Sequence, residues 1–145
     1  MGAMRINHLF VNSVNVELST RFYCDLLGFV PTKKFNEGHG DGQIVHRDTH
    51  GRDFDLLIVP TGTEKLVHAQ HIAFEIDSAV EFETIFETAK KLGLKPRAQV
   101  PLASEAGMSD FEMYGKAYRH FYVLDPSWVN IEILFCTKQK EEVPV

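Results

Sequence analysis

The sequence predicts an α+β fold of two tandem βαβββ modules, and three observations predict it. An opening pattern is written twice: INHLFVNSVNVELSTRFYCDLLGF (6–29) and QHIAFEIDSAVEFETIFETAKKLGL (70–94) each lead from a histidine and a short apolar run into a helix-period segment ending in Leu-Gly. After each of these segments the hydrophobic period shifts toward two. Near the end of each half an acidic residue interrupts an apolar run, Asp55 in FDLLIV and Glu132 in IEILF.

The first module runs from about residue 4 to 60. HLFV is its opening strand. Val14, Leu18, Phe22 and Leu26 follow at i, i+4, i+8 and i+12, one stripe of a helix. Gly28 stops that helix, since a glycine adopts the left-handed turn that ends one. VPTKKF (30–35), QIVHR (43–47) and FDLLIV (54–59) read as strands, separated by EGHGDG and DTHGRD turns. Pro60 to Val67 is the linker.

The second module, about 68–137, repeats the plan. HIAFEI opens it. Ser78 and Glu81 make a capping box, and Phe82, Ile85, Phe86, Ala89 and Leu92 form the apolar face before Gly93. LKPRAQVPL (94–102), YRHFYVL (118–124) and VNIEILF (129–135) take the matching strand places. SEAGMSDFEMYGK (104–116) has no counterpart in the first half, and reads equally as a lid over a binding site or as a mobile connection. The modules together make a single domain, with a charged, frayed tail over 138–145.

Composition excludes several function classes. With 145 residues, 44% hydrophobic and 24% charged, the chain has enough apolar matter for a core and no run of 18 apolar residues to cross a membrane. Net charge is −5, and the nearest basic cluster, Lys90, Lys91, Lys95 and Arg97, falls at a helix end where it meets the dipole. A nucleic-acid surface is therefore not expected. The opening residues lack a secretory layout, and Cys24 and Cys136 lie among apolar neighbours without a CxxC partner. Buried free thiols and a cytoplasmic location are the expectation.

His8 and His71 hold the same place in the two repeats, and Asp55 and Glu132 lie near their far ends. A carboxylate in a core strand is costly to bury unless it is paired or bound to a metal. Taken singly, each residue has an ordinary role: a histidine satisfied in a strand, Glu132 facing solvent on an edge, Asp55 paired with Arg52 or Arg47. Their symmetric placement is what favours a divalent ion. Imidazole and carboxylate suit Zn, Fe(II), Mn, Co or Ni, and two His with one carboxylate leave positions open for substrate.

These residues resemble the vicinal oxygen chelate superfamily, which includes glyoxalase I, extradiol dioxygenases, methylmalonyl-CoA epimerase, and the fosfomycin- and bleomycin-resistance proteins. The resemblance spans about Arg5 to Phe135. INHLFVNSVNVELSTRFYCDLLGF looks like the family's opening strand and helix, HIAFEID like the strand opening the second module, and FYVLDPSWVNIEIL like its closing hairpin. It implies a curved mixed sheet around a central metal cavity, with His8, His71 and Glu132 as metal ligands. It maps Asp55 onto a fourth ligand position, where glyoxalase I has Glu and the epimerase Gln; Asp is one methylene shorter, so direct and water-mediated contact stay equally open. Tyr122 falls where extradiol dioxygenases and fosfomycin thiol transferases keep an active-site Tyr that donates a hydrogen bond to substrate. His120 shares its strand parity and is a candidate acid or base, as is Glu132.

Phe10 stands where the fosfomycin transferases carry Thr, which argues against that activity. Trp128 stands where the family usually has Gly. The implied function is a metal-dependent enzyme acting on a small oxygen-chelating substrate by Lewis-acid catalysis, of lyase/isomerase or dioxygenase type, with Zn, Fe(II), Ni or Mn as the ion. The alternative is a non-catalytic binding protein of the resistance type, holding an aromatic ligand against Phe10, Phe54, Phe74, Tyr122 and Trp128. Family members usually dimerise, so a homodimer is implied.

Overall fold

The computed structural model describes residues 6–36, 38, 40–49, 51–61, 71–98 and 107–138. The chain divides into two compact units, one of Met1–Val67 with Asp125–Trp128 and one of His68–Leu124 with Val129–Val145.

The first unit holds β1 (His8–Ser13), α1 (Val16–Leu27), β2 (Val30–Phe35), β3 (Gly42–Thr49) and β4 (Arg52–Pro60), its sheet ordered β1-β4-β3-β2. β1 runs parallel to β4 and the remaining neighbours are antiparallel. The second unit holds β5 (His71–Glu75), α2 (Ala79–Lys91), β6 (Ser109–Met113), β7 (Lys116–Leu124) and β8 (Asn130–Lys138), ordered β5-β8-β7-β6 with β5 parallel to β8. The repeat read from the sequence is thus a repeat of topology, and the α+β fold of paired βαβββ modules holds.

Asn15 caps α1 by accepting the Leu18 amide at 3.1 Å, and Gly28 ends the helix at φ 71°. The buried face of α1 is Ser19, Phe22, Tyr23, Leu26 and Leu27. This corrects the expected stripe: Val14 precedes the cap and Leu18 is exposed, because strict i+4 spacing drifts around a helix of 3.6 residues per turn. In α2, Ser78 accepts the Glu81 amide at 3.2 Å. Phe82, Ile85 and Ala89 are buried, while Leu92 lies past the last turn and is exposed. Lys90 and Lys91 occupy that last turn, as the charge pattern implied.

The helices cover the sheet faces that carry Val11, Val45, Leu56 and Ile58 in the first unit and Phe121, Val123, Ile131 and Ile133 in the second; all are buried. Since side chains alternate along a strand, His8, Asp55, His71 and Glu132 project from the opposite faces.

The second unit differs from expectation at one strand. β6 lies inside the 104–116 segment that looked like a lid or loop, and of the strand expected over 94–102 the described part makes a single bridge, Arg97 to Tyr122. SDFEM is itself period-two, with Phe111 stacked on Tyr118 and Asp110 bonded to Arg119 at 2.9 Å across the hairpin. The expected linker and tail lie mostly outside the described residues. Cys24 and Cys136 are free and half-buried rather than fully buried.

The Asp125–Trp128 turn is organised by one buried carboxylate. Asp125 accepts the Tyr23 hydroxyl and the Ser127 amide, each at 2.8 Å, and Ser127 Oγ accepts the Val14 amide at 2.8 Å. Trp128 adopts φ 67°, the left-handed conformation a glycine would take most easily, so the turn keeps glycine geometry without the glycine.

Candidate metal-binding face

His8 and Asp55 belong to the first unit, and His71, His120, Tyr122 and Glu132 to the second. In the second unit the four side chains come together. β5 and β8 are paired so that Ala73 faces Glu132, which puts His71 two residues away on the same face. His71 Nε2 lies 2.9 Å from Glu132 Oε1. On the other side of β8, Tyr122 is the direct cross-strand partner of Glu132, and His120 Nδ1 reaches Glu132 Oε2 at 2.7 Å. Tyr122 sits between the two imidazoles, with ring centroids 5.7 Å from His71 and 5.0 Å from His120. Burial, then the Glu132 charge, pushes the Tyr122 phenol above its ordinary value, so it remains a hydrogen-bond donor at neutral pH.

The spacing of this pair is that of a hydrogen bond and is also compatible with a shared metal ion. Two ligand atoms about 2.1 Å from one ion and about 90° apart stand about 3.0 Å from each other, close to the His71–Glu132 separation. Beside them, Asn130 Oδ1 is a buried acceptor with no hydrogen-bond partner among the described residues, on the strand position paired with His71 and on the Glu132 face. In the first unit, His8 Nδ1 bonds Asn7 Oδ1 at 2.9 Å. A carboxamide oxygen accepts, so Nδ1 carries the hydrogen and Nε2 is the nitrogen that could ligate.

Asp55 is engaged differently. Its Oδ1 lies 2.7 Å from His46 Nδ1, and the His46 ring also faces Asp48 at 3.4 Å and Asp53 at 3.6 Å. The hydrogen bond to Asp55 is the main cause that raises the His46 pKa, with a smaller contribution from Asp48. His46, Asp48 and Asp53 bring ligand-type atoms within 4.8 Å of one another, but Asp48 and Asp53 are exposed. His46 carries no motif signal of its own in the sequence; only the β3–β4 register sets it opposite Asp55.

The strand register also corrects the supposed symmetry of the acids. His8 pairs with Asp55 and Phe10 with Leu57; His71 pairs with Asn130 and Ala73 with Glu132. The counterpart of Asp55 is therefore Asn130, and the place of Glu132 is taken in the first module by Leu57. The histidines are equivalent and the acids are offset by one strand period. Unequal loop lengths hid the offset, since a two-residue shift keeps each side chain on its face.

Of the proposed aromatic lining, Phe10 shares the face of His8 and touches it edge-on at 6.4 Å. Phe54 packs against Phe29 at 6.2 Å, and strand parity puts it on the helix side of the sheet; Phe74 likewise points away from the face of His71.

A family model described as Glyoxalase/Bleomycin resistance protein/Dioxygenase superfamily matches residues 5–133. The chain belongs to this superfamily. Among solved structures, the oxidase ChaP-H2 is similar over 97% of this chain and 100% of its own, with 23% identity and a TM-score of 0.69. The oxidase ChaP-H1 is similar over 92% and 96%, with 27% identity and a TM-score of 0.64. The fosfomycin resistance protein FosX from Mesorhizobium loti covers 93% of both chains at 19% identity and TM-score 0.59. No curated protein matches the sequence. Within the described residues of this superfamily member no helix is long and apolar enough to cross a membrane.

Proposed function

We propose that this superfamily member is a metal-dependent enzyme of the oxygen-using type, acting on a small substrate that offers two neighbouring oxygens. His71 and Glu132 hold the ion in this reading, with His8 as the further ligand that the resemblance implies. Asp55 stays with His46 and is not a ligand. A two-His-one-carboxylate set suits Fe(II), with Mn as the nearest substitute, and a bound ion of this kind supplies a Lewis-acid site for the substrate oxygens and one-electron chemistry toward dioxygen.

The observation that carries this choice is Leu57 in the place that corresponds to Glu132. Glyoxalase-type proton transfer needs a base on each side of the reacting carbon. An aliphatic side chain there supplies none. The likeness to two proteins named as oxidases supports the same direction. Tyr122, with its proton retained, donates to a substrate oxygen, and Asn130 Oδ1 accepts from a substrate hydroxyl beside His71. A homodimer of cytoplasmic protein is part of the reading.

The test is to load the protein anaerobically with Fe(II), Mn or Zn and measure oxygen uptake with catechols and hydroquinones, beside lyase assays on thiohemiacetals. Oxygen uptake with the Fe(II) or Mn form supports the proposal. Lyase turnover by the Zn form without oxygen uptake by any form sinks it.

A further inference from the structure

Glu132 is buried at 7% exposure, and what stands behind it is ordered in a line. Its Oε2 receives His120 Nδ1 at 2.7 Å; His120 Nε2 meets Ser109 Oγ at 2.9 Å; Ser109 Oγ reaches the Ala98 carbonyl at 2.9 Å. β8, β7 and β6 contribute one side chain each. Ser109 and His120 are direct partners across β6 and β7, and β7 next to them is fixed from both sides, by Glu132 opposite Tyr122 and by two Arg97–Tyr122 backbone bonds of 2.9 and 2.8 Å.

The protons of this line can be counted. A carboxylate oxygen only accepts, so His120 must carry hydrogen on Nδ1. Ser109 has one hydroxyl proton and two neighbours that accept. Either it donates to Ala98 and accepts from Nε2–H, or it donates to Nε2 and gives up Ala98. In both cases Nδ1–H points at Glu132. The ring has no nitrogen left for substrate, and Phe111 at 4.4 Å and Tyr122 at 5.0 Å pack against it.

We propose that His120, backed by Ser109, is a positioning residue: it ties down Oε2 of Glu132 so that Oε1 alone is presented beside His71 Nε2. It replaces the acid–base role expected for His120 from the sequence, and it rests on the metal-site reading above. Its consequence is a carboxylate that binds through one oxygen, leaving a further position for substrate or water. Among the described residues the first module has no such device, since its strand positions corresponding to Glu132 and Tyr122 are Leu57 and Ile44.

The experiment is Co(II) titration of the full chain, wild type beside His120→Ala, His120→Asn and Ser109→Ala, read as affinity by chelator competition and as the visible spectrum at saturation. His120→Ala is expected to weaken Co(II) binding by roughly 10- to 100-fold and to change the spectrum as the carboxylate turns. His120→Asn, which keeps an N–H near the Nδ1 place, recovers most of the loss, and Ser109→Ala shows a smaller one. Affinity within about twofold of wild type in His120→Ala, or an unchanged spectrum with no rescue by Asn, overturns the proposal while leaving the metal site standing. If the wild type binds no Co(II), the metal-site reading has failed, and ring nitrogen NMR of the metal-free protein decides the rest. A His120 Nδ1–H protected from exchange, and lost in Glu132→Ala, upholds the tie to Oε2; its absence from the wild type overturns it.

Discussion

Replacing Asp125 with alanine removes the acceptor of two buried donors, the Tyr23 hydroxyl and the Ser127 amide, each 2.8 Å away. Tyr23 and Ser127 are fully buried and Asp125 is 2% exposed, so water does not readily replace the carboxylate. Each orphaned donor costs about 1–3 kcal/mol, which sets the expected loss at about 4 kcal/mol. For a chain of this size that is a fall in melting temperature of about 12 °C. Tyr23→Phe removes one charge-assisted bond, for about 1.5–3 kcal/mol. The double variant should lose less than the sum, because Asp125→Ala already includes the cost of stranding the phenol. Urea unfolding of the three variants gives the cycle. A loss below about 1 kcal/mol in Asp125→Ala, or strict additivity, would refute the account of this turn.

Burial first, then the Asp125 charge and hydrogen bond, raises the Tyr23 phenol well above its ordinary value. Its folded pKa exceeds its unfolded one, so its contribution is full below about pH 10 and is lost as pH rises beyond that; urea midpoints at pH 9 and 11 should fall steeply in wild type and less in Tyr23→Phe. A Cβ on Gly42 would lie 2.5 Å from the Ile58 carbonyl and 2.6 Å from the Phe35 ring, and Gly42→Ala should cost about 1–3 kcal/mol in the same assay. Trp128→Gly relieves the positive φ of a half-exposed indole and should stabilise by about 0.5 kcal/mol; a loss instead means the indole contacts outweigh the strain.

The repeat was legible because it is written in features that do not depend on loop length. Each module has a histidine seven residues before its helix cap, Asn15 or Ser78, and a left-handed glycine after the helix. Strand register was not legible in the same way, and the misplaced symmetry of Asp55 and Glu132 follows from that. The β6 error has a different origin. SDFEM carries two acids in five residues, and its apolar Phe111 and Met113 gave too weak an alternation to outweigh a polar, Gly-containing surround. Ser109 became visible as a site residue only through pairing with His120. His120 itself was legible from its parity with Tyr122, but not its role, which depends on where Glu132 directs its second oxygen.

Whether His71 and Glu132 hold a divalent ion is decided by the metal content of the purified protein beside His71→Ala prepared identically. The account predicts about one Fe, Mn, Ni or Zn per chain in the wild type, lost in the variant. A wild type that takes up no metal even in excess, or a variant that keeps it, would contradict the account and leave non-catalytic binding of a small molecule as the better reading.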